Sequence, residues 1–243
     1  MISGLFHSDL IIIQDNDKCP CGSGNLYSVC HSKLHDQWLK GTLPSPKASD
    51  PYPEYTKEEM SSTLVKISKE LDEGIRLFPS KNNIIVSNSL MKNNCLTILN
   101  TIASVVDTYK LGGISLGRSD QCLQFAFLLR DVLTYLSQES KVVYGLATYK
   151  TNLGEFTWEH SWIVTKKDLI DGNVDSMIEN PAVPPSFKLY PPVFWGEFGY
   201  EFQDRTYTPS AYVGDSFIER DPDYSSWKEE IFKNKKIIKL INH

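Results

Sequence analysis

Cys122-Leu123-Gln124-Phe125-Ala126-Phe127-Leu128-Leu129-Arg130, followed by Lys141-Val142-Val143-Tyr144-Gly145 and then Glu159-His160-Ser161-Trp162-Ile163-Val164, decides the fold class. Phe125, Ala126, Leu129, Leu133 and Leu136 recur at helical spacing, which predicts a helix after Ser119. Residues 141–148 are rich in Val and Tyr. Residues 156–165 alternate, with Trp158, His160, Trp162 and Val164 on one face. Both segments read as strands, and residues 168–171 read as a third, turned by Gly172-Asn173. Helices followed by a run of strands indicate an α+β protein with helices packed on an antiparallel sheet.

Working outward, Leu96, Leu99, Ile102, Ala103 and Val106 predict a helix over about residues 89–109. Cys95 lies beside this stripe and reads as core packing, and Leu111-Gly112-Gly113 ends the helix. Met60, Leu64, Ile67, Leu71, Ile75 and Phe78 predict an earlier helix, with Thr56 and Glu59 as a capping box. Thr42-Leu43-Pro44-Ser45-Pro46 and Asp50-Pro51-Tyr52-Pro53 form a proline-rich connector. These boundaries divide the chain into a module (1–40), a connector (41–56) and a larger domain (57–243). Leu10–Ile13 reads as a strand, and 180–192 as irregular chain. The aromatic stretch from Phe194 to Phe202 reads as core packing, and Glu197 and Glu201 carry a helical i,i+4 spacing with no assigned role.

Cys19-Pro20-Cys21-Gly22-Ser23-Gly24, with Tyr27, Cys30 and His31, gathers three thiols and an imidazole in the spacing C-x-C-x8-C-H. That is one full set of tetrahedral zinc ligands, and the glycines and the proline allow a tight turn around an ion. On position alone, His35 competes with His31 as the fourth ligand. The stretch 17–35 resembles the SEC-C motif, a short zinc-binding module, in its C-P-C-G-S-G core, its tyrosine and its terminal Cys-His pair. The resemblance implies structural Zn2+ on Cys19, Cys21, Cys30 and His31. It also implies a docking role towards a protein partner, of the ribosome or chaperone kind.

The chain has 243 residues, 41% of them hydrophobic, enough for one sizeable core plus a small appendage. A net charge of −5 gives no general signal for nucleic acid. The basic cluster Lys233–Lys239 reads as the solvated face of a terminal helix or strand. No apolar run reaches transmembrane length, so no membrane role is expected. Five cysteines, three of them zinc ligands, point to a reducing compartment, and the expected location is cytoplasmic.

Gly117-Arg118-Ser119-Asp120-Gln121-Cys122 leads directly into the helix. Ser119 or Asp120 can cap it, which places Cys122 in the first turn, where free N–H groups favour a thiolate. His160 on a strand and Asp171 on the next offer a base and its orienter, with Asp175 competing for the third role. The order of a cysteine-opened helix with Ala126, Leu129 and Arg130, a Val142-Val143-Tyr144-Gly145 strand and His160-Ser161-Trp162 resembles the papain-like, transglutaminase-like superfamily over residues 90–178. That resemblance implies covalent acyl transfer: a cysteine hydrolase or acyltransferase acting on an amide bond of a protein or peptide. The Cys122 N–H would be one oxyanion donor, with Gln121 and Trp158 as candidates for the second. Transfer from a thioester cofactor uses a similar residue order, but no cofactor-pocket motif accompanies it. The competing expectation is a zinc-dependent, non-catalytic interaction adaptor whose larger domain is a silent fold of this class.

Overall fold

The computed structural model describes residues 4–33, 36, 84–86, 92–111, 114–115, 117–118, 120–151, 154–174, 193–197 and 205–241. The connector, the helix expected over residues 60–78, His35, Ser119, Asp175 and residues 180–192 lie outside them.

The described strands are β1 (Leu10–Ile12), β2 (Ile84–Val86), β3 (Lys110–Leu111), β4 (Ile114–Ser115), β5 (Ser140–Thr151), β6 (Gly154–Thr165), β7 (Asp168–Asp171), β8 (Val193–Glu197) and β9 (Arg205–Val213). The helices are α1 (Tyr27–Cys30), α2 (Lys92–Val106), α3 (Cys122–Tyr135), α4 (Tyr224–Lys233) and α5 (Lys235–Ile241). Seven strands form one sheet in the order β1-β9-β5-β6-β7-β8-β2, while β3 and β4 pair separately. The six strands from β1 to β8 in that order are joined antiparallel, and β2 joins β8 in parallel. The chain is thus α+β with an antiparallel sheet, and no described helix is long and apolar enough to cross a membrane.

The long β5–β6 hairpin carries the site, and its register runs unbroken from Ser140↔Thr165 to Thr151↔Gly154. Gly145 lies opposite His160 on one side and Pro209 of β9 on the other, next to a register shift at Tyr144/Gly145. A Cβ at Gly145 would sit 2.2 Å from the Thr208 carbonyl oxygen and 2.9 Å from the Trp162 ring, so no larger residue fits beside the bulge.

α3 is buried around most of its circumference. The expected stripe of Phe125, Ala126, Leu129 and Leu133 is inside, but so are Leu123, Phe127, Leu128 and Val132. A helix apolar on several faces needs cover on several faces. Phe217 stacks on Phe127 at 6.0 Å, and Tyr224 of α4 meets the same ring edge-on at 6.5 Å. The buried Asp131 accepts a 3.0 Å hydrogen bond from the Tyr224 hydroxyl, and Lys228 lies 2.5 Å from the same carboxylate. These contacts pin α4 across α3.

One sequence expectation is corrected. The N-cap of α3 is Gln121, with no side-chain capping bond, rather than Ser119 or Asp120. Asp120 has φ +57°, a left-handed conformation outside the usual capping geometry. Glu197, which carried no assigned role, lies in strand β8, where it pairs with Asp168. Strand β9 and helices α4 and α5 arise from the C-terminal third, which periodicity left unassigned.

Candidate functional site

Two constellations stand apart on the molecule. In the first, Cys19 is held by backbone bonds from its own N–H to the Asn25 carbonyl (2.8 Å) and from the Gly22 N–H to the Cys19 carbonyl (3.2 Å). Gly22 and Gly24 take φ of +80° and +76°, which only glycine adopts without strain. The single-turn α1 then presents Cys30 at its end, with His31 as its C-cap. Cys19 Sγ lies 3.1 Å from His31 Nδ1 and Cys21 Sγ 3.6 Å from Cys30 Sγ. All four donor atoms fall within 4.8 Å of one another. Ligands at ~2.3 Å for sulfur and ~2.0 Å for nitrogen around one ion stand roughly 3.5–3.8 Å apart, so small side-chain shifts would bring this set around a tetrahedral zinc. Hydrogen bonding with Cys19, helped by His31 and Ser23, holds the Cys21 thiol down to about 3 against the opposing effect of burial. The same bond raises the Cys19 thiol, so without an ion the two sulfurs share a proton that zinc would displace.

The module is fastened to the sheet. β1 pairs with β9, and the buried Tyr27 hydroxyl donates to the carbonyls of Pro209 (3.2 Å) and Ser210 (3.4 Å). A groove of about 420 Å³ separates the Lys18–Gly24 loop from the ends of the hairpin at Glu139–Lys141 and Val164–Lys166.

The second constellation lies within the larger sheet. His160 Nε2 is 2.8 Å from Asp171 Oδ1, and the Cys122 side chain is close enough to the same imidazole to favour its charged form. With Nε2 engaged by the carboxylate, Nδ1 is the ring nitrogen left for the thiol. Cys122, the first residue of α3, is 8% exposed, His160 4% and Asp171 0%. Burial opposes a charged imidazole, but the Asp171 carboxylate and the Cys122 thiol outweigh it and raise His160 to about 10. Burial alone would lift Asp171; the charge of His160 and three donated hydrogen bonds bring it below the ordinary carboxylate range. Two of those bonds come from the Tyr149 hydroxyl (2.6 Å) and the Tyr207 hydroxyl (2.7 Å), both to Oδ2. The indole of Trp162 stacks on His160 at 6.4 Å.

The turn before Cys122 is locked from two sides. Buried Arg118 pairs with buried Asp107 beyond the end of α2 at 3.4 Å. The Arg118 carbonyl accepts from Asn173 Nδ2 at 3.3 Å and from the Gln121 N–H at 3.1 Å. Asn173 follows Asp171 by two residues, so the segment leaving β7 also fixes the start of α3. Gln121 is buried beside Cys122, and Trp158 packs on Tyr149 with centroids 5.2 Å apart. Cys95 is fully buried, and burial pushes its thiol up to about 12.

Tyr149, Tyr207 and Arg205 were not legible as site residues. The β5 alternation Val143, Gly145, Ala147, Tyr149 places Tyr149 on the His160 face, and Arg205↔Tyr149 and Tyr207↔Ala147 add β9 to it. The β5 part of that signal was present in the sequence, one residue beyond the strand end inferred there.

No curated protein matches the chain. A solved structure described only as a genomics crystal structure shares 12% identity, covers 79% of this chain and 82% of its own, and gives a TM-score of 0.29, too slight to carry an argument. Among known families, the SEC-C motif matches residues 16–33. Residues 16–33 are thus a SEC-C motif, with Cys19, Cys21, Cys30 and His31 as its candidate metal ligands.

Proposed function

We propose that this chain is a cysteine-dependent hydrolase or acyltransferase that acts on an amide bond of a protein or peptide. The observation that carries the proposal is the meeting of Cys122, His160 and Asp171 from three separate elements at one buried point. A nucleophile, a base and an orienter in hydrogen-bond contact are what thiol acyl transfer requires. The cysteine-opened helix, the following hairpin and the His160-Ser161-Trp162 strand support a transglutaminase-like, papain-like class for the larger unit, 57–243.

In this mechanism His160, charged at neutral pH because its affinity for a proton is raised, holds Cys122 as the thiolate of an ion pair, and that sulfur attacks the amide carbonyl carbon. The Cys122 N–H donates to the resulting oxyanion. Collapse breaks the C–N bond as His160 returns its proton to the leaving amine, leaving a thioester. Water, or an amine, then loses a proton to His160 and attacks the thioester carbon; the sulfur departs and is reprotonated. Asp171 orients the ring and stabilises its charged form throughout.

Zinc on Cys19, Cys21, Cys30 and His31 would be structural, since protein fills all four positions. The module would recruit a protein partner or substrate, with the adjoining groove as contact surface. Free thiols at all five cysteines favour a reducing, cytoplasmic setting. The near-complete burial of Cys122 favours a second reading, a zinc-dependent adaptor with a silent fold.

The test is iodoacetamide labelling of Cys122 across pH in the zinc-loaded chain, read by peptide mass spectrometry and compared with His160→Ala. Rapid labelling below pH 7 that slows in His160→Ala is expected of the enzyme. An ordinary thiol profile, unchanged by His160→Ala, would overturn the enzyme reading and favour the adaptor instead.

A further inference from the structure

We infer that Tyr149 and Tyr207, with Arg205 behind them, are positioning residues that fix the Asp171 carboxylate and share its negative charge, so that His160 can release as well as take a proton. The inference rests on the proposed Cys122–His160–Asp171 site and deepens it.

Asp171 is fully buried, and its two oxygens are used differently. Among the described residues Oδ1 serves His160 alone, while Oδ2 accepts from both phenols, at 2.6 Å and 2.7 Å. Orienting an imidazole needs one oxygen. The other has recruited two donors from two strands, and together they prevent the carboxylate from rotating. Each phenol has one proton to give, and both protons go to Asp171. Burial and the nearby carboxylate hold both hydroxyls well above their ordinary range, so they remain donors at every working pH.

Arg205 extends the chain of contacts. It is buried, it hydrogen-bonds Tyr207, and its guanidinium carbon lies 5.7 Å from the centre of the Tyr149 ring. Arg205↔Tyr149 is a register pair of β9 and β5, so this placement is built into the sheet. The groups facing His160 and Asp171 are therefore Cys122 from α3, Tyr149 from β5, Trp158 and Trp162 from β6, and Tyr207 and Arg205 from β9.

The chemistry gives this network a definite sign. Donors to a carboxylate draw off its charge and lower its proton affinity. A less basic Asp171 holds the imidazolium proton less tightly. His160 must surrender that proton to the leaving amine, and a ring clamped by an undiluted buried carboxylate would resist doing so. Structural damage predicts the reverse: a displaced carboxylate would let His160 fall back towards its ordinary value.

Tyr149→Phe and Tyr207→Phe each delete one hydroxyl and keep the ring. The readout is the charged fraction of His160, followed by its ring-carbon NMR shift in the full zinc-loaded chain. The signal is assigned by its loss in His160→Gln. The midpoint is expected to rise by about one unit in each variant, a roughly tenfold gain in proton affinity. At pH 10 the charged fraction would then move from about one half to about nine-tenths. Should one variant fail to fold, the other carries the test, since each leaves the second phenol in place. An unmoved midpoint would mean that the phenols merely satisfy a buried oxygen, and a lowered one that they only hold the site together. Either overturns the inference. Because the midpoint is read without any activity, an inert Cys122 would defeat the proposed function while leaving the tyrosine result separately visible.

Discussion

The zinc module and the Cys122 site solve the same problem, holding reactive side chains in fixed geometry, by opposite means. The module draws its four donors from thirteen consecutive residues and needs only two left-handed glycines and one turn of helix. The site draws its network from α3, β5, β6, β7 and β9, and its geometry exists only when the sheet register is correct. A local cluster can be ordered by an ion, whereas a distributed one is ordered by the core. The two should therefore fail separately, and four experiments can test that separation.

The largest effect is expected from Cys21→Ser, or from chelation. Metal binding and local folding are linked in such small modules, so bound zinc should fall from about one equivalent to below about a tenth. Amide exchange over residues 16–33 should accelerate, while β5 and β6 stay protected. Loss of protection across the hairpin would show that the ion also supports the sheet. Next, Gly145→Ala forces a methyl group against the Thr208 carbonyl and should cost about 3 kcal/mol in urea unfolding. The module should keep its zinc at temperatures where the folded variant persists.

A third experiment sharpens the electrostatics. His160 is raised from 6.5 to about 10 in the folded chain, so its contribution to stability is complete below its unfolded value and fades as pH rises through about 10. The stability gap between wild type and His160→Gln should accordingly shrink between pH 7 and pH 10.5. A gap that stayed level over that range would mean that His160 is held neutral. The smallest effect concerns the fastening itself: Tyr27→Phe removes one buried hydrogen-bonding hydroxyl and should cost about 1 kcal/mol, with zinc content unchanged. Lost zinc would show that the sheet helps to build the metal site.

The same contrast explains what was legible in the sequence. Cys19, Cys21, Cys30 and His31 could be read because their spacing is their geometry. Cys122, His160 and Asp171 could be selected because helix start, strand and next strand follow in chain order. Tyr149 and Tyr207 could not, since nothing local states that β9, some sixty residues downstream of β5, returns to pair with it. The cap of α3 was misread for a related reason. Ser and Asp favour capping, but Asp120 takes a left-handed turn in the Gly117–Gln121 segment, where buried Arg118 is held by Asp107 and Asn173. Tertiary contact overrides local preference there.

The short pairing of β1 with Ala211–Val213 has a practical consequence. Those three residue pairs screen one end of β9, whose other side belongs to β5. A chain trimmed back to the larger unit would present that end of β9 as a bare row of amide and carbonyl groups, ready to take up a strand from a neighbouring molecule. The N-terminal segment thus doubles as a guard against self-association, and its removal should be felt first in solubility.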